Sequence, residues 1–392
     1  MSDLDVERFV EEQVKVVREA LGDERALIAV SGGVDSTVSA VITHRAIGDN
    51  LACVFIDDNF MRLGEPERVK EMLSSPPLSL PVRILRERER FMKALEGLSD
   101  AEEKRKAFRE TFYQTLGDAA RAEGCRFMVQ GTIRADIEET AGGIKTQHNI
   151  LEQIGIDPVE RFGYKVVEPI KSLYKYQVRE VARFLGAPQV ASERQPFPGP
   201  GLSVRVVGEI TEEKLQQEKL ANDAVEAHFE RYTPAQYFAA ILSAEQEEAP
   251  EGLASAAAKS LRVDDSDVEV AYLKERGTGM MDGNRTYGRI ATFKFRGGET
   301  LGYLELEAAR AAIQSMEPGI SRVLYHIAGR AEGKYRAAMR AVETRDFLTA
   351  EISKVPQGTL RAAADEILEK CSKVVGVYYD VTPKPPATVE YE

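Results

Sequence analysis

Ala26-Leu27-Ile28-Ala29-Val30 is an apolar run of the length of one buried parallel strand, and it empties directly into Ser31-Gly32-Gly33-Val34-Asp35-Ser36-Thr37. Val38-Ser39-Ala40-Val41-Ile42-Thr43 then continues as an apolar helix that must pack back on the strand. This strand, loop and helix constrain the fold more than any other stretch. The loop lies where free backbone N–H groups and the positive end of a helix dipole favour an anion. Gly32 and Gly33 allow the backbone to approach phosphate oxygens, while Ser31, Ser36 and Thr37 supply hydroxyl donors. Asp35 would repel phosphate unless a divalent cation lay between them, so the loop implies Mg²⁺ as well as a nucleotide. A plain glycine turn with a Ser or Thr cap is the rival reading. The flanking elements, with Asp35 and Ser36 in place, favour phosphate binding, although the spacing is not that of G-x-x-x-x-G-K-[ST].

The 392 residues carry a net charge of −12, which disfavours an open nucleic-acid surface. The length admits two or three domains with real cores. Cys53, Cys125 and Cys371 are widely spaced, with no CxxC pair, which suits a reducing compartment. The N-terminal stretch reads as an amphipathic helix with Val6, Phe9, Val10, Val14, Val17 and Leu21 on one face, not as a signal peptide. With no long apolar run, the expectation is a soluble cytoplasmic protein without a membrane or nucleic-acid partner.

Further along, Leu51–Ile56, Val82–Leu85, Arg126–Gln130 and Lys165–Ile170 read as strands alternating with helices. The fold class expected is α/β, a doubly wound, mostly parallel sheet. Asp57-Asp58-Asn59 at a strand end would face the cleft of the phosphate loop, as adenosine contacts or as a plain turn or cap. Residues 133–161 lose periodicity and suit a lid or binding loop, in which His148 reads as a surface residue. Arg194–Leu202, dense in Pro and Gly, reads as the connection that ends a first domain at 202. In the second domain, 203–392, Ser203–Val207 reads as a strand and Glu213–Arg231 as an exposed, charged helix. Glu245–Lys259 reads as a solvated helix or insertion. Ile320–Ile327 can be laid beside Val374–Val381, each preceded by an Ala-rich helix and an earlier strand-like run. This gives an α+β region with a duplicated strand–helix–strand module, about 268–330 and 335–392, its copies packed through their sheets. The proline-rich C-terminus, Thr382–Glu392, is pre-stiffened for an ordered role, with Lys384 and Glu390 suited to a phosphate and a base edge.

The loop resembles the SGGxDS loop of the PP-loop ATP pyrophosphatases. Several further stretches are similar to one family among them, the ATP pyrophosphatase part of GMP synthetases, in the form that stands as a separate synthetase subunit. These are Gln130-Gly131-Thr132-Ile133, Ile144-Lys145-Thr146 with His148-Asn149, Glu168-Pro169-Ile170-Lys171, Pro196–Leu202 with Val204-Arg205-Val206, and Lys384–Glu390. The resemblance implies that ATP and xanthosine 5′-monophosphate (XMP) bind, that the xanthine O2 is adenylylated, and that ammonia displaces AMP to give GMP. It places ATP on Ser31, Gly32, Gly33, Val34, Asp35, Ser36 and Thr37, Mg²⁺ on Asp35, and a catalytic role on Asp35 and Lys171. It places XMP on Arg105, Gln236, Asp282, Lys384, Val389 and Glu390, the matches at Gln236 and Asp282 resting on a looser alignment. Lys145 and Lys171 match lysines suited to steadying phosphates.

The sequence departs from that family's pattern at Ala135, where proline is usual, and at Gln147 and Gln195, where histidine is common. An imidazole at 147 or 195 is therefore not expected to take part. Single-copy relatives dimerise through the last domain, so an internal second copy implies a monomeric synthetase subunit. No amidotransferase triad is legible, since Cys53 and Cys125 lack nucleophile-elbow glycines. Ammonia is therefore expected free or from a separate glutamine amidotransferase subunit. The rivals are another PP-loop enzyme, such as an NAD synthetase or a tRNA-thiolating enzyme, and a non-catalytic nucleotide sensor.

Overall fold

The computed structural model describes residues 4–141, 163–188, 195–250, 252–281, 283–297, 300–345 and 348–392. The chain divides into two compact units, Met1–Ala94 with Phe108–Arg194, and Leu95–Ala107 with Gln195–Glu392. The passage between them falls at Arg194/Gln195, ahead of the boundary at 202 read from the sequence. Pro196–Leu202 goes with the second unit because its neighbours are tied there: the Gln195 amide donates to Glu226 and accepts from the Tyr237 N–H. The first residues of the helix Ala101–Ala122 belong to the second unit as well.

In the first unit, β1 (Ala26–Ala29), β2 (Leu51–Asp57), β3 (Val82–Arg86), β4 (Phe127–Val129) and β5 (Lys165–Val167) form one parallel sheet in the order β3-β2-β1-β4-β5. β1 holds β2 on one edge and β4 on the other, with Ala26 opposite both Leu51 and Phe127. The strand order therefore reverses at β1/β4, and the loops leaving the carboxyl ends of those strands border the crevice where α/β sheets bind ligands. The helix Val34–Ile47 buries almost its whole circumference, including Thr37, Ser39 and Thr43, which is why it reads as evenly apolar rather than amphipathic. Val6–Leu21 buries Phe9, Val10, Val17 and Leu21 against the same core, with Val6 and Val14 partly covered.

The second unit is built on one mixed sheet. Its strands are β6 (Gln236–Ser243), β7 (Gln246–Glu248), β8 (Val268–Met281), β9 (Asn284–Phe295), β10 (Ile320–Gly329), β11 (Tyr335–Glu343), β12 (Glu351–Ile352) and β13 (Val374–Asp380). The path runs β12-β11-β13-β10-β9-β8-β7, with β6 on β11. β9, the helix Tyr303–Met316 and the parallel β10 make one copy of the repeat; β11, the helix Gln357–Lys370 and the parallel β13 make the other. Each parallel ladder slips at the same step, between Ile320 and Arg322 in one and between Val374 and Gly376 in the other.

The copies do not stack face to face, as the sequence suggested. They join edge to edge through an antiparallel β10/β13 ladder in which Tyr325 faces Tyr379, flanked by Leu324↔Asp380 and His326↔Tyr378. These pairings interchange under a local two-fold axis between the two tyrosines. Stacking is precluded because both faces are already covered. One packs on helices through Val323, Tyr325, Val377 and Tyr379, and the other packs on Val207, Val389 and Tyr391 through Leu324, Ala338 and Tyr378. The outer strand of the second copy, β6, comes from ahead of the first copy in sequence and pairs antiparallel with β11, as β8 does with β9.

Three local expectations fail. Residues 203–207 are not a strand: Gly201, at φ 60°, opens a short 3₁₀ turn through Val204, and only Val206 bridges Ile241. The helix Glu212–Phe229 is not solvated, since it buries Leu215, Ala221, Ala224, Val225 and Phe229 together with Lys214 and Glu218. Between 245 and 259 the chain forms β7 and then the helix Leu253–Leu261, whose Leu253, Ala257 and Ala258 are core.

Candidate nucleotide-binding site

The helix Val34–Ile47 begins at Gly33 with no side chain capping it, so the amides of its first turn are left to a ligand or to water. Gly32 sits at φ 77°, and a Cβ there would lie 2.7 Å from Val69 Cγ2, so only glycine fits. The hydroxyls brace the loop: Ser36 Oγ accepts from the Ser31 N–H at 3.2 Å, and Thr37 Oγ1 donates to the Gly33 carbonyl at 2.8 Å. Gly131, in the loop after β4, comes so close that a Cβ would meet the Asp35 carbonyl carbon at 2.9 Å. The two loops at the reversal point therefore form one tight backbone cradle.

Asp35 projects from the first turn of that helix. One carboxylate oxygen is paired with Lys175 and the other, Oδ1, is buried without a partner among the described residues. Burial pushes the carboxyl above its ordinary value, against the pull of the Lys175 ammonium and, more weakly, Arg179. An orphaned buried carboxylate oxygen beside a phosphate cradle fits a hard divalent cation, so the residues present suit Mg²⁺.

Lys171, given a catalytic role from the sequence, is exposed in the turn after β5; the cation that meets Asp35 is Lys175, from the start of the next helix. Lys175 went unnoticed because it lies in a charged stretch whose contact with Asp35 spans 140 residues. Asp57, Asp58 and Asn59 hold their own turn. Asp58 accepts from the Phe60 N–H at 2.7 Å, and Asp57, 1 % exposed, takes the Arg88 guanidinium at 2.8 Å. Burial pushes the thiols of Cys53 and Cys371 up to about 12, leaving neither suited to nucleophilic work. Lys145, His148 and Asp282 lie outside the described residues.

In the second unit the C-terminal tail is built into the sheet. Ala350 and Lys384 exchange backbone hydrogen bonds, the Met280 N–H donates to Pro386 O at 2.7 Å, and the Thr278 N–H donates to Tyr391 O at 2.9 Å. Arg322, wholly buried, donates to Asp380 and to both oxygens of Thr388, and lies 3.9 Å over the Tyr391 ring. Arg340 flanks the same Asp380 at 2.8 Å and donates to Thr388 O. Burial alone would raise the Asp380 carboxyl; the Arg340 and Arg322 guanidiniums outweigh it and hold the group below its ordinary value.

Arg205 grips Glu390 with two parallel bonds of 3.0 Å, and Gln236 donates to Glu390 Oε1 at 2.7 Å. Phe238 and Phe197 lie 4.0 and 5.2 Å from the same guanidinium, so Pro196–Leu202 helps to seat the tail. Glu392 is anchored by Lys104 and by the Gly208 N–H. Arg105 bonds Glu102, which also receives Arg285 and Tyr287.

Of the residues matched to XMP, Gln236 and Glu390 touch, while Lys384 and Val389 belong to the same ordered tail. Arg105 lies in the same unit without a direct bond to them among those described. Sequence reasoning missed Arg205, Arg322, Arg340 and Asp380. Arg205 stood in the matched stretch Val204-Arg205-Val206 without a role, and for Arg322 and Arg340 the available signal was an arginine in an otherwise apolar strand.

The chain is 42% identical over 386 residues to a subunit of the glutamine-hydrolysing GMP synthase of Saccharolobus solfataricus, covering 98% of each. It is 38% identical over 395 residues to the subunit of the same name from Methanopyrus kandleri, covering 99% of each. Residues 329–391 match the GMP synthase C terminal domain family. Among solved structures it is similar to an NMN synthetase from Francisella tularensis, at 16% identity and TM-score 0.40 over 51% of this chain and 79% of that one.

Proposed function

The chain belongs to this family of glutamine-hydrolysing GMP synthase subunits, carbon–nitrogen ligases, and from that premise we propose that it adenylylates XMP with ATP and aminates the product to GMP. The observation that carries this reading is the cradle at the β1/β4 reversal, where unsatisfied amides, Gly32, Gly131 and the bare oxygen of Asp35 converge. The amides of the first helical turn bind the β- and γ-phosphates of ATP. Asp35 would hold Mg²⁺, which when bound neutralises the pyrophosphate charge. Lys175, already at Asp35, supplies a second positive charge for the oxygens exposed as the α–β bond breaks.

In the second unit, Glu390 is oriented by Arg205 and Gln236 to accept from N–H groups of the purine, and Lys384 meets the XMP phosphate. The xanthine O2 attacks the α-phosphorus, pyrophosphate leaves with its bonding pair, and ammonia then displaces AMP from C2. Adenylylation is needed because a carbonyl oxygen leaves poorly and AMP leaves well. Ammonia comes from a separate glutamine amidotransferase subunit, in keeping with cysteines whose thiols stay protonated. The internal two-fold supports a further reading: the second copy takes the place of a partner subunit, so the synthetase subunit is monomeric across this interface. No helix among the described residues is long and apolar enough to cross a membrane.

Supplying ATP, Mg²⁺, XMP and ammonium sulfate to the purified chain should release AMP and pyrophosphate only when XMP is present. Absence of AMP at saturating nucleotide would refute the reading, and a sharp molar mass equal to a dimer would refute the monomeric part alone.

A further inference from the structure

The two-fold that relates the repeat copies makes each tail-holding residue of one copy correspond to a residue of the other. Tyr325 and Tyr379 face each other, so His326 stands where Asp380 does. Arg322 and Gly376 each follow the slip in their ladder, and Lys294 follows the partner of Tyr325 as Arg340 follows the partner of Tyr379. Arg330 lies at the same remove from His326 as Lys384 from Asp380. In the second copy this corner is filled by the tail, with Thr388 and Tyr391 on Arg322 and Arg340. In the first copy the chain passes directly into β11 and supplies no tail.

What remains there is a cavity of about 440 Å³, in the size range of small-molecule sites, lined by Glu269, Lys294, His326, Arg330, Arg336 and Tyr378 among others. Its charge is set by three cations against one carboxylate, and that carboxylate, Glu269, is paired with Arg296 at 2.6 Å. In a chain of net charge −12 this is a local basic hollow that draws anions. Arg336, only 9 % exposed, is fixed by donating to Tyr378 Oη at 3.1 Å and to Ala244 O. The His326 and Tyr378 rings meet edge to face, 5.3 Å apart, and form an aromatic wall. Burial, with Lys294 and Arg336 nearby, lowers the imidazole to about 4 against the opposing pull of Glu269, so this wall is neutral near pH 7. Cations beside a neutral aromatic wall in one hollow suit a phosphate joined to a flat ring.

We propose that this cavity binds a nucleoside monophosphate, making a second nucleoside-monophosphate site per chain, separate from the tail site and from the phosphate cradle. The ligand class rests on the reading of the tail as nucleotide-binding.

Equilibrium binding of GMP to the full chain tests it, with inorganic phosphate as the control for a bare anion site. Two equivalents are expected. The double substitution Lys294→Ala/Arg330→Ala, at exposed positions, should weaken one of them at least about tenfold and leave the other. Lys384→Ala should remove only the other, and the double variant should keep a single cooperative melt, lowered by no more than the loss of the Arg330 bonds to Leu368 O and Cys371 O. A single equivalent lost in Lys384→Ala and indifferent to the double substitution overturns the proposal while sparing the assigned function. A single equivalent lost only in the double variant upholds the cavity and overturns the tail site instead. No bound GMP, binding indifferent to the double variant, or equal competition by phosphate overturns the cavity as a nucleotide site.

Discussion

The phosphate cradle of the first unit and the C-terminal tail of the second are both assigned to nucleotides, yet they are made of opposite materials. The cradle is backbone: glycines at positions where a Cβ would strike Val69 or the Asp35 carbonyl carbon, and a helix start left uncapped. Its side chains are partly exposed and lightly tied, with Asp35 and Lys175 28% and 45% accessible. The tail, besides its backbone bonds to the sheet, is locked by the side chains of wholly buried Arg205, Arg322, Arg340 and Asp380. Removing a side chain should therefore cost chemistry at the cradle and stability at the tail.

The largest effect expected is on rate. Asp35→Asn should lower turnover by at least roughly 10²-fold, with a change in unfolding free energy of no more than about 1 kcal/mol because the lost ion pair is solvent-screened. AMP release and urea unfolding of the same preparation check both halves, and a variant that unfolds easily but still turns over would reverse the contrast. Arg322→Ala should act the other way. It leaves Asp380 with half its compensation and the Thr388 carbonyl short of a donor, at about 3–5 kcal/mol of stability. Unfolding midpoints and limited proteolysis of the C-terminus read that loss, and an unchanged midpoint would mean that the tail is held by something else.

Arg205→Lys is subtler, since a lysine cannot reproduce the two-pronged grip on Glu390 or the ring contacts. The KM for XMP should rise roughly 10- to 100-fold while the KM for ATP stays put; a parallel rise in both would indicate general damage. The smallest effect is a pH slope. His326 titrates near 4 when folded against 6.5 for the free side chain. The unfolded chain therefore binds the proton more tightly, and the contribution is present above about pH 6.5 and is lost as pH falls towards 4. It should amount to on the order of 1 kcal/mol. His326→Gln should flatten that part of the stability profile, and an unaltered profile would mean that the imidazole is not held neutral.

The same contrast explains how far the sequence could be read. The cradle was legible because everything that makes it is contiguous: a strand, two glycines, an acid and a helix within one short run. The repeat was legible too, and the alignment of Ile320–Ile327 with Val374–Val381 is the one that the two-fold obeys. What could not be read was how the copies meet, because edge pairing and face packing draw on the same apolar alternation. The clamp on Glu390 joins positions 185 apart, and Arg205 lies in Ser203–Val207, which reads as a strand that does not form. The helix Glu212–Phe229 read as solvated because buried Lys214 and Glu218 mimic a charged surface.

The central claim is that the xanthine oxygen itself attacks the α-phosphorus of ATP, and isotope transfer tests it most directly. With XMP carrying ¹⁸O at O2, ATP, Mg²⁺ and ammonium, mass spectrometry should find one ¹⁸O in the phosphate of the AMP released and none in pyrophosphate. Unlabelled AMP, or ADP and phosphate in its place, would contradict the account.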